Sequence, residues 1–238
     1  MQEENPMGFI DDIKEDQKMQ IQAVCVVFFL LAFPSYFFLK AAATDDPAGM
    51  GGVGSYTVTA DFSFIDLASG SEEIGDGQTV TLELNTMELN SEDLGKNIVG
   101  VLVSMSYSEN EQSSAGCVGG DAADTITGSV AHLEFSNSAD GQNSGGSGAH
   151  DVSAEWYNSS VIGDKVEGLS ESEIMDQLDS EGAGLGDYIV EITVDANQGG
   201  NTPPLVCQRS DDGENVTYTV QLIVLDYEIT PYIEIEDI

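Results

Sequence analysis

Carboxylates are the side chains of this sequence best suited to chemistry. They cluster as Glu72-Glu73 with Asp76, as Asp121 with Asp124, and as Asp211-Asp212 with Glu214. Several carboxylate oxygens in one loop are what a hard cation such as Ca²⁺ takes. Asp211, Asp212 and Glu214, set around Gly213, are therefore the candidate metal ligands. The run Asp211 to Asn215 lacks the alternate spacing and distal Glu of an EF-hand loop, so solvated surface acids are the competing reading. Paired acids could also serve glycosidase-type hydrolysis, but no pair is singled out. An extracellular hydrolase is thus an alternative without assigned catalytic residues.

Three cysteines are too few for a four-cysteine zinc site. Cys25 falls in an apolar run. Cys117 and Cys207, both in loop-like sequence, are the candidate disulfide. Closing roughly 90 residues would stabilise by up to about 4–5 kcal/mol on the chain-entropy account. His132 and His150 lie too far apart in sequence to read as a ligand pair, and each is expected to be an ordinary polar residue. Trp156, the one tryptophan, alternates with Ala154 and Val152 and is expected in the core. Asn158-Ser-Ser and Asn215-Val-Thr are candidate glycosylation sequons. No nucleophile elbow, Walker loop, zinc-protease helix or dinucleotide fingerprint occurs, so no cofactor is expected.

The chain must position these groups against a large charge. It has 238 residues with 43 Asp and Glu against 6 Lys and Arg, a formal net charge of −37. That opposes binding to nucleic acid, where phosphates must be neutralised, and docking on anionic headgroups. Acids on almost every polar face resemble the surfaces of proteins secreted by salt-living archaea.

Ile21 to Leu39 is uncharged and fenced by Lys18 and Lys40. About 20 apolar residues span a bilayer as a helix, so residues 19–40 are expected to form a single transmembrane helix. Ala41-Ala42-Ala43 offers the rival reading of a cleaved leader. Against cleavage, residues 1–18 carry six acids and two lysines where a leader should be basic. Lys14 and Lys18 against Lys40 favour the N-terminus inside. The expected organisation is an acidic cytoplasmic tail over 1–18, the helix, a Gly-rich spacer over 41–54, and an extracellular domain over 55–238.

Beyond the spacer, period-2 alternation predicts strands at Tyr56 to Phe64, Val80 to Leu84, Ile98 to Tyr107, Ile126 to Phe135, Val152 to Trp156, Tyr188 to Val194 and Val216 to Val224. Tyr232 to Ile235 is a candidate eighth. A change of phase near Val130-Ala131 predicts a bulge. The loop Asn137 to Gly148 is the boundary if there are two sandwiches rather than one. Ser170 and Glu173 form a capping box, Leu169 and Ile174 a staple, and Gly182 is expected to end the helix. The fold class is an all-β antiparallel sandwich of seven to eight strands with one short helix.

Gly186-Asp-Tyr-Ile-Val-Glu-Ile-Thr-Val-Asp-Ala-Asn resembles the penultimate strand of PKD-like and other immunoglobulin-like modules, where Gly-x-Tyr opens a Val/Ile strand. The resemblance covers about a dozen residues. It implies an immunoglobulin-like ectodomain of the kind carried by archaeal-type single-pass surface proteins, with Tyr188 as a tyrosine corner. The PKD Trp-x-Phe-Gly core and the immunoglobulin Cys–Trp–Cys pattern are absent. The expected function is a membrane-anchored structural, adhesion or accessory-subunit protein without catalytic activity. It would meet a protein partner or itself at the cell surface. The alternative is a ligand- or Ca²⁺-binding receptor domain.

Overall fold

The computed structural model describes residues 28–33, 35–36, 53–108, 112–114, 117, 122–143, 146–199 and 208–233. The chain divides into two units, Met1–Val53 and Gly54–Ile238. In the first, residues 28–33 and 35–36 are helical, and Phe28, Phe29, Leu30, Leu31, Phe33 and Tyr36 are all exposed. No described helix is long and apolar enough to cross a membrane. The tail over 1–18, the rest of the segment over 19–40 with Cys25, and the spacer up to residue 52 lie outside the described residues.

The second unit is antiparallel β. One sheet contains β1 (Gly54–Gly75), β3 (Ile98–Ser108), β7 (Ser147–Glu155), β8 (Gly163–Leu169) and β11 (Gly213–Pro231), in the order β7-β3-β11-β1-β8. The other holds β2 (Thr79–Asn85), β5 (Thr125–His132), β6 (Phe135–Gln142) and β9 (Asp187–Asp195), in the order β2-β9-β5-β6. A ribbon pairs β4 (Gln112–Ser113) with β10 (Arg209–Ser210). Alternation builds the core between the sheets. Val101, Val103 and Met105 of β3 and Val216, Val220 and Leu222 of β11 face Ile126 and Val130 of β5 and Val190, Ile192 and Val194 of β9. Fully burying each such side chain stabilises by roughly 1.5–3 kcal/mol.

The five-stranded sheet also buries part of its opposite face. Tyr56 and Val58 of β1, Val99 of β3, and Ile223 and Leu225 of β11 form a second core. Helix α1 (Glu171–Leu178) covers it through Ile174 and Leu178. The helix starts where the sequence predicts, with the reciprocal Ser170–Glu173 capping box present. Leu169 and Ile174 share this core. The helix ends at Leu178, short of Gly182, because Asp179 turns extended at the C-cap.

Three expectations on the strands are corrected. The phase change in Ile126 to Phe135 is a hairpin rather than a bulge, with Leu133 at φ 51 in the tight turn between β5 and β6. Asn137 to Gly148 does not divide two domains: β6 runs through its first half to Gln142, and β7 begins at Ser147. Tyr232 and Ile233 are not strand; Pro231 closes β11, paired with Tyr56, and residues 234–238 lie outside the described part.

Candidate functional site

Three of the acids singled out above are brought together at one end of the second unit. Asp124 stands immediately before β5, Asp211 between β10 and β11, and Glu214 is the second residue of β11. Asp124 and Glu214 are fully buried and Asp211 is 3% exposed. One carboxylate oxygen from each lies within 4.8 Å of the others. Asp212 is exposed and points elsewhere, so the candidate triplet read from sequence is corrected to Asp124, Asp211 and Glu214. Simple alternation would put Asp212 on the side of Glu214; Gly213, at φ +132, breaks that period, so Asp212 faces solvent while Glu214 turns inward.

Backbone and amide donors hold each group in place. The Asp124 amide donates to Asn143 Oδ1 at 2.7 Å, and Asn143 Nδ2 donates to Asp124 Oδ2 at 3.1 Å and to Glu214 Oε1 at 3.2 Å. The Asn197 amide donates to Asp124 Oδ1 at 2.6 Å. Asp124 therefore ties the start of β5 to the ends of β6 and β9. Asp211 Oδ1 accepts from the Gly213 amide at 3.2 Å. Gly213 has φ +132, and a Cβ there would run into the Ile74 carbonyl and Gly75. Only glycine lets β11 approach β1 this closely and delivers Glu214 inward.

Three carboxylates in so small a buried space repel one another by roughly 3–4 kcal/mol per pair at an effective dielectric of 20. Arg209 carries a positive charge in the same region, its Nη1 lying against Gly199, two residues beyond Asn197. Oxygens sharing one Ca²⁺ at about 2.4 Å stand no more than about 4.8 Å apart, so the spacing and the hard-oxygen donor set fit a single divalent ion.

The other candidate residues are dispersed. Asp76 caps backbone, accepting from the Ala196 amide at 3.1 Å, and Glu72 and Glu73 are exposed. Asp121 and Cys207 lie outside the described residues. Cys117 is disulfide-bonded, and its Sγ lies 3.9 Å from the carbonyl oxygen of Gln208, the residue after Cys207. Asn158 is exposed at the cap of a 3-10 turn, its Oδ1 accepting from Ser160 N and Oγ, while Nδ2 donates to Gln177. Asn215 is exposed on β11, accepting from Ser71 Oγ at 2.6 Å.

His132, expected as an ordinary polar residue, is buried, 1% exposed. Its ring stacks on Tyr188 at 4.0 Å and 7°, with Trp156 centred 5.1 Å away. Its Nδ1 faces the Asp187 carbonyl at 2.8 Å and its Nε2 the Ala183 carbonyl at 2.5 Å. Tyr188 Oη donates to the Gly184 carbonyl at 2.7 Å. Trp156 is half-buried against the core, its Nε1 donating to Ile98. These aromatics pin the loop after α1, and their polar atoms are spent on backbone.

Sequence reading missed Asn143 and Asn197. Both lie in polar, Gly- and Asn-containing stretches that carry no periodic signal. No protein family matches the chain, and no curated protein matches it.

Proposed function

We propose that the protein is a membrane-anchored extracellular interaction module without catalytic activity, its N-terminus inside and an acidic, immunoglobulin-like β-sandwich outside. The observation that carries this reading is the disulfide at Cys117, because structural disulfides persist in oxidising compartments. The uncharged run Ile21 to Leu39, with exposed aromatic and leucine side chains between Phe28 and Phe33, supports an anchor. A rigid frame of two packed sheets suits recognition by loops and edges. Cys207 is the proposed partner of Cys117, Asn158 and Asn215 are the proposed glycan sites, and the proposed binding partner is a protein at the cell surface. Crosslinking mass spectrometry on native membranes tests this. Crosslinks from the second unit to a surface protein or to another copy are expected. Recovery of the chain in the soluble cytosolic fraction would overturn it.

A second reading, Ca²⁺ binding, is favoured by the convergence of Asp124, Asp211 and Glu214. These residues, with further oxygens from solvent or backbone, would hold the ion; its role would be to fasten the ends of β5, β9 and β11. Calorimetry of the purified chain should show a melting rise with Ca²⁺ that chelator reverses. Glu214→Gln should weaken the response at least tenfold. An identical melt with Ca²⁺ and with chelator would remove this reading.

A further inference from the structure

The outer edge of β1 is paired by β8 only through Val58. From Thr59 to Gly75, among the described residues, β1 pairs with β11 alone. Its first stretch, Thr59 to Ile65, keeps a regular register; the irregularity comes later, between Asp66 and Ala68. An unpaired edge of this length offers main-chain donors and acceptors to another strand.

The two faces of this stretch differ in chemistry. On one, Phe62 is 41% exposed and Phe64 52% exposed, with the Tyr157 ring 5.7 Å from that of Phe62. On the other, Asp61 lies directly across from Asp226 and Thr59 across from Glu228. These four, with Ala60 and Tyr227, line a shallow cavity of about 270 Å³. Like charges directly opposite in a sheet are unfavourable. Lys96, a base near Asp226, is already held by Asp93 at 2.7 Å.

We propose that the Thr59–Ile65 edge docks an extended cationic segment of a partner protein as an added strand. Alternate Lys or Arg side chains would meet Asp61, Asp226 and Glu228, and the intervening apolar side chains would cover Phe62 and Phe64. Pairing with a second copy is disfavoured, since it would press these acids against their equals on a chain of the same −37 charge. The inference rests on the reading of the protein as an interaction module and names the surface and the partner chemistry.

The test uses the full chain in detergent micelles at 0.15 M salt and two labelled octapeptides of equal composition. One alternates, Lys-Val repeated four times; the other is blocked, four Lys followed by four Val. The alternating peptide should bind at least tenfold tighter and slow amide exchange within 59–65. The paired variant Phe62→Ser and Phe64→Ser, and separately Asp61→Asn with Asp226→Asn, should each erase the preference to within about twofold. Equal affinity for both peptides, or protection mapped to another strand, would overturn the proposal and leave the interaction-module reading standing. A dimer in 2 M salt with protection over 59–65 would overturn the cationic partner in favour of a second copy. The module reading fails separately, on the membrane crosslinking described above.

Discussion

At the scale of single residues, burial governs the phenols. It pushes Tyr188 upward, and Tyr227 as well, the latter helped by its hydrogen bond to Asp179 at 2.7 Å. Each folded value lies above the unfolded one. The contribution of each to stability is therefore whole below about pH 10 and is lost as pH rises through the folded value. An absorbance titration at 295 nm should show the exposed tyrosines ionising first. Tyr188 and Tyr227 should follow only with loss of the β circular-dichroism signal, and Tyr227→Phe should remove one late-titrating group. Early, reversible ionisation of all eight tyrosines would contradict this. The acid cluster shows what a sequence reveals at this scale. Asp211 and Glu214 were legible because a glycine and short spacing place them in one turn. Asp124 joins them through the packing of one sheet on the other, and Asn143 reaches Glu214 across 71 positions; no local pattern encodes such a meeting.

At the scale of elements, the strands that were legible are those with one face buried and one wet. In β9, Tyr188, Val190, Ile192 and Val194 are fully buried between exposed or half-exposed neighbours. β6 reads Phe-Ser-Asn-Ser-Ala-Asp-Gly-Gln and lies on a sheet edge, so its polar composition hid it. β8 buries only Val166, too little for a period. The hairpin between β5 and β6 turns through Leu133 at positive φ, where the sequence offers no glycine or asparagine. Gly213 carries the opposite lesson, since its conformation is unavailable to other residues at little cost. Gly213→Ala should destabilise by about 2–3 kcal/mol in urea melts, and an unchanged midpoint would refute the close-approach argument. Ser170→Ala, which removes the cap of α1, should cost about 1 kcal/mol. Glu173 is held below its usual range by the backbone and side-chain donors of Ser170. Its share of the capping box is therefore present above about pH 4.3 and fades as pH falls through the depressed folded value.

At the scale of the whole molecule, charge dominates. Against a net −37, ion pairs such as Lys96–Asp93 and Lys165–Glu167 lie at or near the surface, and such pairs contribute little. The remaining acids repel. Screening shortens from about 10 Å at 0.1 M salt to about 3 Å at 1 M, so salt should stabilise the fold. The melting temperature should rise by about 5 °C or more between 0.1 and 2 M NaCl, corresponding to roughly 1.5–2 kcal/mol. An equally stabilising effect of a neutral osmolyte at matched osmolality would assign the gain to solvent exclusion instead.

The long pairing of β1 with β11 has a mechanical consequence. The chain enters β1 at Gly54, and the far end of that strand, Gly75, is matched with Gly213 at the start of β11. Tension applied at Gly54 against a grip on β11 at Gly213 would run parallel to both strands and load their hydrogen bonds together, in shear. Tension between Gly54 and the C-terminal end of β11, where Tyr56 meets Pro231, would instead peel the bonds apart one at a time. The same domain should therefore hold firmly when pulled from its distal loops and yield at low force when pulled from its own C-terminus.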